Sequence, residues 1–209
     1  MPKPRQLHDE YFRKAKRDGY LARSAYKLTE IDDKKNIIPK AGRVLDVGCA
    51  PGSWMQVASQ RVGPRGTVVG IDLQPVGGGF APNVRAVVGD VTEADPAELC
   101  ALAGDAERLF DAVISDMAPK TTGAGDGFVS VRLCETLFDL CPRLLAPRGS
   151  LVMKVLEAES LPDLMQRIKH NFEKAGLTKP KASRDVSKET FIWAKGYRVK
   201  RPRRTGATP

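Results

Sequence analysis

The sequence has no uninterrupted apolar run approaching the length of about eighteen residues that a membrane-spanning helix needs. Its opening stretch, MPKPRQLHDEYFRKAKRDGY, lacks the apolar core of a secretory signal, so a cytoplasmic chain is expected. Cysteine pairs at metal-ligand or redox spacing are missing too. Cys49, Cys100, Cys134 and Cys141 form no CxxC pair and stand among apolar neighbours, which predicts buried free thiols and excludes a disulfide framework or a zinc site. Internal repeats and low-complexity tracts are absent. What is present is a chain of 209 residues, 28% charged and 42% hydrophobic, enough for one domain with a substantial core. Its 34 Lys+Arg against 25 Asp+Glu give a formal charge of +9, which points to a polyanionic partner.

That charge is unevenly placed. Residues 1–40 carry 11 Lys+Arg and 6 Asp+Glu, residues 41–178 carry 13 and 17, and residues 179–209 carry 10 and 2. The middle is mildly acidic and both ends are basic. Converging in space, the ends would form a one-sided positive surface able to follow a phosphate backbone. The tail KRPRRTGATP (200–209) is too polar to build a core and is expected to be disordered.

The central stretch alternates strand and helix signals. RVLDVG (43–48), GTVVGIDL (66–73), NVRAVVGDV (83–91), FDAVISDMAP (110–119) and GSLVMKVL (149–156) are β-branched runs; 53–62, 95–104, 130–146 and 160–175 have helical character. Strands alternating with helices predict a mostly parallel sheet covered on both faces. TKPKAS (178–183) and ETFIWAKGY (189–197) read as a closing hairpin-like pair, an antiparallel exception at the end of the sheet. Ahead of the first strand, residues 11–36 read as one or two amphipathic helices with Tyr26, Leu28 and Ile31 on the apolar side, so that 1–40 form a basic helical appendage to the domain at 41–197. Gly77-Gly78-Gly79 before Phe80 and GAGDGF (123–128) mark loops.

The sharpest local signal is LDVGCAPGSW (45–54), an acidic residue near a strand end followed by a glycine-containing turn into a helix. Gly48 and Gly52 permit close approach of backbone to a ligand. A pyrophosphate-binding turn needs G-x-G-x-x-G, whereas this loop reads G-C-A-P-G and Pro51 removes a donor. A neutral or cationic ligand fits better. Asp46, Asp72, Asp90 and Asp116 fall at the ends of the first four strands, with Asp72 suited to a ribose diol and Asp90 to an adenine amino group. A cofactor with a ribose, an adenine and a positive centre answers that set, and S-adenosylmethionine has all three.

Taken together, RSAYKL (23–28), LDVGCAPGSWMQVA (45–58), GIDL (70–73), GDV (89–91), SDMAP (115–119), LAPRGSLVMKV (145–155) and SKETFIWAKG (187–196) resemble the FtsJ-type ribosomal RNA 2′-O-methyltransferases, within the class I methyltransferases, over residues 20–197. The resemblance implies a Rossmann-like, mostly parallel seven-stranded sheet with an antiparallel last strand, S-adenosylmethionine as cofactor, no metal, and Gly52 and Trp54 beside the cofactor. It also implies a catalytic tetrad of Lys27, Asp116, Lys154 and Glu189, with Lys154 as proton acceptor. The implied substrate is a uridine 2′-hydroxyl in the peptidyl-transferase A-loop of large-subunit ribosomal RNA, modified by a monomer on assembled or nearly assembled subunits.

The residue types suit that chemistry. A lysine at its ordinary pKa of about 10.4 is a cation and no base, but burial and a nearby cation such as Lys27 lower it, while Asp116 and Glu189 act in the opposite sense. Base and hydroxyl-orienting roles for Lys154 both stay open, and positioning alone is worth about 7–11 kcal/mol. Two departures stand out: APGGW becomes APGSW through Ser53, and KVLEAES replaces the family's K-V-F-x-G, which bears on the loop beside the acceptor nucleotide. Other activities fit less well. Amino-group methyltransferases need an (Asp/Asn)-Pro-Pro-aromatic run where SDMAP stands, and cytosine-C5 enzymes need a nucleophilic cysteine there. Methylation of a different RNA such as tRNA, and a non-catalytic RNA-binding role, are the alternatives.

Overall fold

The β-branched runs assemble into one sheet because alternating helices leave each strand two apolar faces to bury. The structure, a computed structural model, describes residues 10–119, 125–183 and 187–199. In chain order the elements are α1 (Glu10–Arg17), α2 (Ala25–Lys35), β1 (Arg43–Val47), α3 (Ser53–Val62), β2 (Thr67–Asp72), β3 (Val84–Val88), α4 (Pro96–Leu102), β4 (Phe110–Ser115), α5 (Asp126–Leu144), β5 (Leu145–Leu156), α6 (Leu161–Asn171), β6 (Phe172–Thr178) and β7 (Glu189–Tyr197). The seven strands lie in the order β3-β2-β1-β4-β5-β7-β6. β1 to β5 pair in parallel, while β7 runs antiparallel to both β5 and β6. The chain leaves β1 toward β2 on one side and returns as β4 on the other, so a crevice opens at the C-terminal ends of β1 and β4.

Side-chain alternation divides the core. Leu45, Val47, Met153 and Val155 face α4, α5 and α6. Val44, Ile114, Val152 and Phe191 face α2 and α3, together with Leu28, Ile31 and Met55. By the same two-residue period Asp46, Lys154 and Glu189 belong to the α2–α3 face. Gly70 is needed there, since a Cβ on it would lie 2.3 Å from Met55 Sδ. All four cysteines are buried free thiols, and burial pushes those of Cys134 and Cys141 up to about 12.

The structure corrects the sequence reading in three places. Residues 178–183 do not form the sixth strand, and the helix expected over 160–175 stops at Asn171, where Phe172 starts β6. Phe172 is buried opposite Tyr197, ring centroids 5.2 Å apart, and Pro180 has no ladder donor to offer a strand. Residues 179–183 cross instead to α2, where the Glu30 carboxylate accepts from the N–H groups of Lys181 and Ala182 at 2.8 and 3.0 Å. In GAGDGF, Asp126 already begins α5, and Gly127 runs so close to β5 that a Cβ would lie 2.7 Å from the Glu157 carbonyl oxygen. β3 ends at Val88, two residues short of Asp90. The tail 200–209 lies outside the described residues.

Candidate active site

Four elements bring the lysines and carboxylates together. Lys27 lies on α2, Asp116 follows β4, Lys154 lies on β5 and Glu189 opens β7. The antiparallel register pairs Lys154 with Phe191 and Leu156 with Glu189, so Lys154 and Glu189 are diagonal neighbours on one face. Two ion pairs result. Lys27 Nζ stands 2.6 Å from Glu189 Oε1, and Lys154 Nζ stands 3.1 Å from Asp116 Oδ1. Lys154 also donates to the Asp116 main-chain carbonyl. Side-chain exposures of 8% and 13% in the first pair and 11% and 19% in the second show that all four are largely withdrawn from water. Burial of Glu189 opposes its ionisation, yet the hydrogen bond and charge of Lys27 outweigh it and hold the carboxyl below the usual range. Lys27 lies over the Phe191 ring as well, 5.8 Å from its centroid.

The glycine turn forms the other half of the site. Gly48 and Gly52 have φ of +73° and +113°, the left-handed region that favours glycine. Neither faces open space. A Cβ on Gly48 would strike Met117 Cγ at 2.1 Å, and one on Gly52 would strike Phe80 Cζ at 2.4 Å. Asp72 accepts from the N–H of Ala50 at 2.9 Å and of Gln74 at 2.8 Å, which ties the end of β2 to the turn. Trp54 is a core residue, 2% exposed, with its ring 5.8 Å from that of Phe191 and its indole N–H donating to the Ser24 carbonyl oxygen at 2.9 Å. The Ser24 and Ser53 hydroxyls meet at 2.8 Å. Ser53, where the family has glycine, thereby ties α3 to the segment leading into α2.

The picture of four carboxylates lining one edge needs revision. Asp46 is fully buried beneath the edge, and neither of its carboxylate oxygens has a hydrogen-bond partner among the described residues. Burial, reinforced by the charges of Asp116 and Asp72, pushes its carboxyl well above the ordinary range. Asp90 is exposed and closes a turn, Oδ1 accepting from Thr92 N and Oγ1 at 2.9 and 2.7 Å, which lowers its pKa. Asp72 and Asp116 are the two half-buried carboxylates at the edge. Sequence reasoning overlooked Phe80, Met117 and Glu30. Phe80 carried a signal in its position directly after three glycines, whereas nothing local marks the other two. Clefts of about 540 and 580 Å³ lie against α6 and are lined by residues outside this site.

The strand order β3-β2-β1-β4-β5-β7-β6 with an antiparallel β7, and a glycine turn between β1 and α3, define a class I methyltransferase fold. The chain belongs to the FtsJ-like methyltransferase family, whose model matches residues 20–197. It is 44% identical over 190 residues to "Ribosomal RNA large subunit methyltransferase E" of Halorubrum lacusprofundi, covering 90% of this chain and 70% of that protein. The protein of the same name from Syntrophobacter fumaroxidans is 44% identical over 188 residues, covering 89% and 94%. A crystal structure assigned as a ribosomal RNA methyltransferase of Plasmodium falciparum superposes with a TM-score of 0.73 at 25% identity, covering 85% of this chain and 98% of that one. The fold alone recurs, with a TM-score of 0.61 at 16% identity, in a protein assigned as a hemolysin of Streptococcus thermophilus. Fold therefore does not settle activity, and the site must.

Proposed function

We propose that this protein methylates the 2′-hydroxyl of a uridine in the A-loop of large-subunit ribosomal RNA, acting in the cytoplasm as a monomer on assembled or nearly assembled subunits. The observation that carries the reading is the meeting of Lys27, Asp116, Lys154 and Glu189 as two adjacent, largely buried ion pairs at the C-terminal edge of the sheet. The names of the relatives supply the RNA class. No helix among the described residues is long and apolar enough to cross a membrane.

The residues present fit S-adenosylmethionine. A buried acid without a partner and two half-buried carboxylates suit a ligand that carries positive charge and a ribose, and the Gly48–Gly52 turn lets main chain approach it. Asp72 would hold the ribose, Asp90 the adenine amino group, and Asp116 with the Gly48–Gly52 main chain the amino-acid end, with Trp54 supporting the turn from the core. Asp46 would lie beneath that end, sealed from solvent. Bound S-adenosylmethionine supplies an electrophilic sulfonium methyl group.

Lys154 Nζ is the atom that faces the acceptor hydroxyl and takes its proton, a step open to lysine only as the free amine. Asp116 fixes Nζ from one side, and the Lys27–Glu189 pair fixes the strand end beside it. A 2′-hydroxyl held against this cluster is oriented before it reacts, an advantage worth about 7–11 kcal/mol.

The test supplies methyl-labelled S-adenosylmethionine with unmodified large subunits, free ribosomal RNA and tRNA, followed by nuclease digestion. Label in 2′-O-methyluridine from the large-subunit RNA is expected. Label on a base, label in tRNA, or cofactor binding without transfer would overturn the reading.

A further inference from the structure

Helix α1 and the basic segment after β6 meet on one surface, against α2. α1 packs Ala15 and Tyr11 against Tyr26 of α2 and Ala182 of the segment after β6. Tyr11 lies tilted and Tyr20 edge-on against Tyr26 with centroids 5.6 and 5.5 Å apart, the Tyr26 hydroxyl donates to Asp18 at 2.8 Å, and Lys14 lies over the Tyr26 ring at 4.4 Å. Glu30 of α2 clasps the main chain at Lys181 and Ala182. The helix is thus held on one side by an aromatic cluster, and that side is fixed relative to α2.

Its outer side is unusual for a solvated helix. Phe12 is 59% exposed, and by helical spacing Lys16 shares its face while Arg13 and Arg17 form the next stripe round the helix, all of them exposed. A lone surface phenylalanine is ordinary. One set among three cations, on a helix anchored by three tyrosines, has the composition of a stacking platform within an electrostatic track: cations follow the phosphates, and an aromatic ring receives a base. α1 packs on α2, the helix that also carries Lys27 of the ion-pair cluster.

We propose that Phe12 stacks on an unpaired base of the RNA substrate, one that flanks the acceptor nucleotide, and that α1 thereby selects looped or single-stranded RNA over duplex. The inference rests on an RNA substrate but not on which RNA is methylated or where. Sequence-specific recognition of RNA targets unpaired, splayed bases for the same physical reason: a base inside a helix has no free face to offer.

Equilibrium binding of a short oligouridine and of an RNA duplex of equal charge to the full chain provides the test, with methyl transfer taking no part in the readout. Phe12→Ala is expected to weaken oligouridine binding about 5- to 150-fold, the range found for a single base–aromatic stack. Duplex affinity and the slope of log affinity against log salt stay unchanged, and Phe12→Trp restores binding. S-adenosylhomocysteine affinity is the folding control and stays unchanged, since Phe12 touches the solvent rather than the core. Equal losses on oligouridine and duplex, no loss on either, or failure of Phe12→Trp to restore binding would overturn the proposal. A protein that modified some other RNA would still pass this test, whereas one that failed it could still methylate the expected nucleotide.

Discussion

The two halves of the crevice are finished differently. Around β4, β5, β7 and α2 each buried charge has a partner at ion-pair distance, Lys27 with Glu189 and Lys154 with Asp116. Beneath the glycine turn, Asp46 is buried with both oxygens unpartnered among the described residues and with Asp72 and Asp116 close enough to raise its pKa. The paired half is neutral by itself and can receive a neutral hydroxyl without a counter-charge from outside, although Lys154 must shed its ammonium proton before it acts as base. In the unpaired half burial favours the protonated form of Asp46, and the half-buried Asp72 is the carboxylate left to meet positive charge from outside. On the proposed function, this difference separates the acceptor side of the reaction from the cofactor side.

The largest expected effect comes from breaking the paired half at its centre. Lys154→Ala should lower methyl transfer by about 10²- to 10⁴-fold, the range for loss of a positioned acid–base group, while S-adenosylhomocysteine affinity stays within a few-fold. Single-turnover transfer and calorimetry check the two parts. Unchanged transfer would remove Lys154 from the mechanism.

Next in size is Lys27→Met, which turns Glu189 into an unpaired buried acid and makes this half resemble the other. Removing one partner of such a pair costs about 3–5 kcal/mol, and Lys27→Met with Glu189→Leu should recover much of it. The sign with pH follows from the lowered pKa of Glu189. Its stabilisation is present above the unfolded carboxyl value of about 4.3 and is lost as pH falls through the lower native value. Urea melts at neutral and acid pH measure this directly, and a pH-independent difference between wild type and Lys27→Met would contradict it.

The reverse experiment makes the unpaired half neutral. Because the native pKa of Asp46 lies above its unfolded value, the native state retains a proton that the unfolded chain has lost, and wild-type stability falls as pH rises from about 3.9 toward the native value. Asp46→Asn should therefore raise the cofactor-free Tm at pH 7 and change it little at pH 4, while binding S-adenosylhomocysteine more weakly. A lower Tm at both pH values would show that Asp46 has a partner after all. The smallest expected effect lies outside the crevice. Replacing Arg13, Lys14, Lys16 and Arg17 by Gln should reduce the salt slope of single-stranded RNA binding by about 3, at roughly 0.7 per lost phosphate contact. An unchanged slope would mean that this charge is only solvated.

Much of this molecule was legible before folding. Strands β1, β2, β4 and β7 and helix α3 follow the runs that announce them, because β-branched segments bounded by glycine and helices of even amphipathicity carry their state locally. Asp95 before Pro96 is a cap written in two residues, its carboxylate accepting from Ala97 N at 3.0 Å. The region after α6 was misread because Phe172 and the residues following it look no less helical than what precedes them. Only the Phe172–Tyr197 pairing, across twenty-five positions of chain, makes β6 a strand. Asp90 shows the opposite limit: its motif suggested a ligand contact, and its first hydrogen bonds go to its own turn.

By itself the sequence determined the element types apart from β6, the glycine turn at 48–52, the lysine at the end of a buried strand and the basic character of both ends, since each is a property of neighbouring residues. Tertiary structure alone decided which lysine meets which carboxylate, that Asp46 sinks below the edge while Asp90 turns outward, and that α1 and the segment after β6 come together on α2 through Tyr26 and Glu30. Those outcomes depend on strand register and on contacts between segments as far apart as Lys27 and Glu189, and no local pattern encodes a distance of that kind.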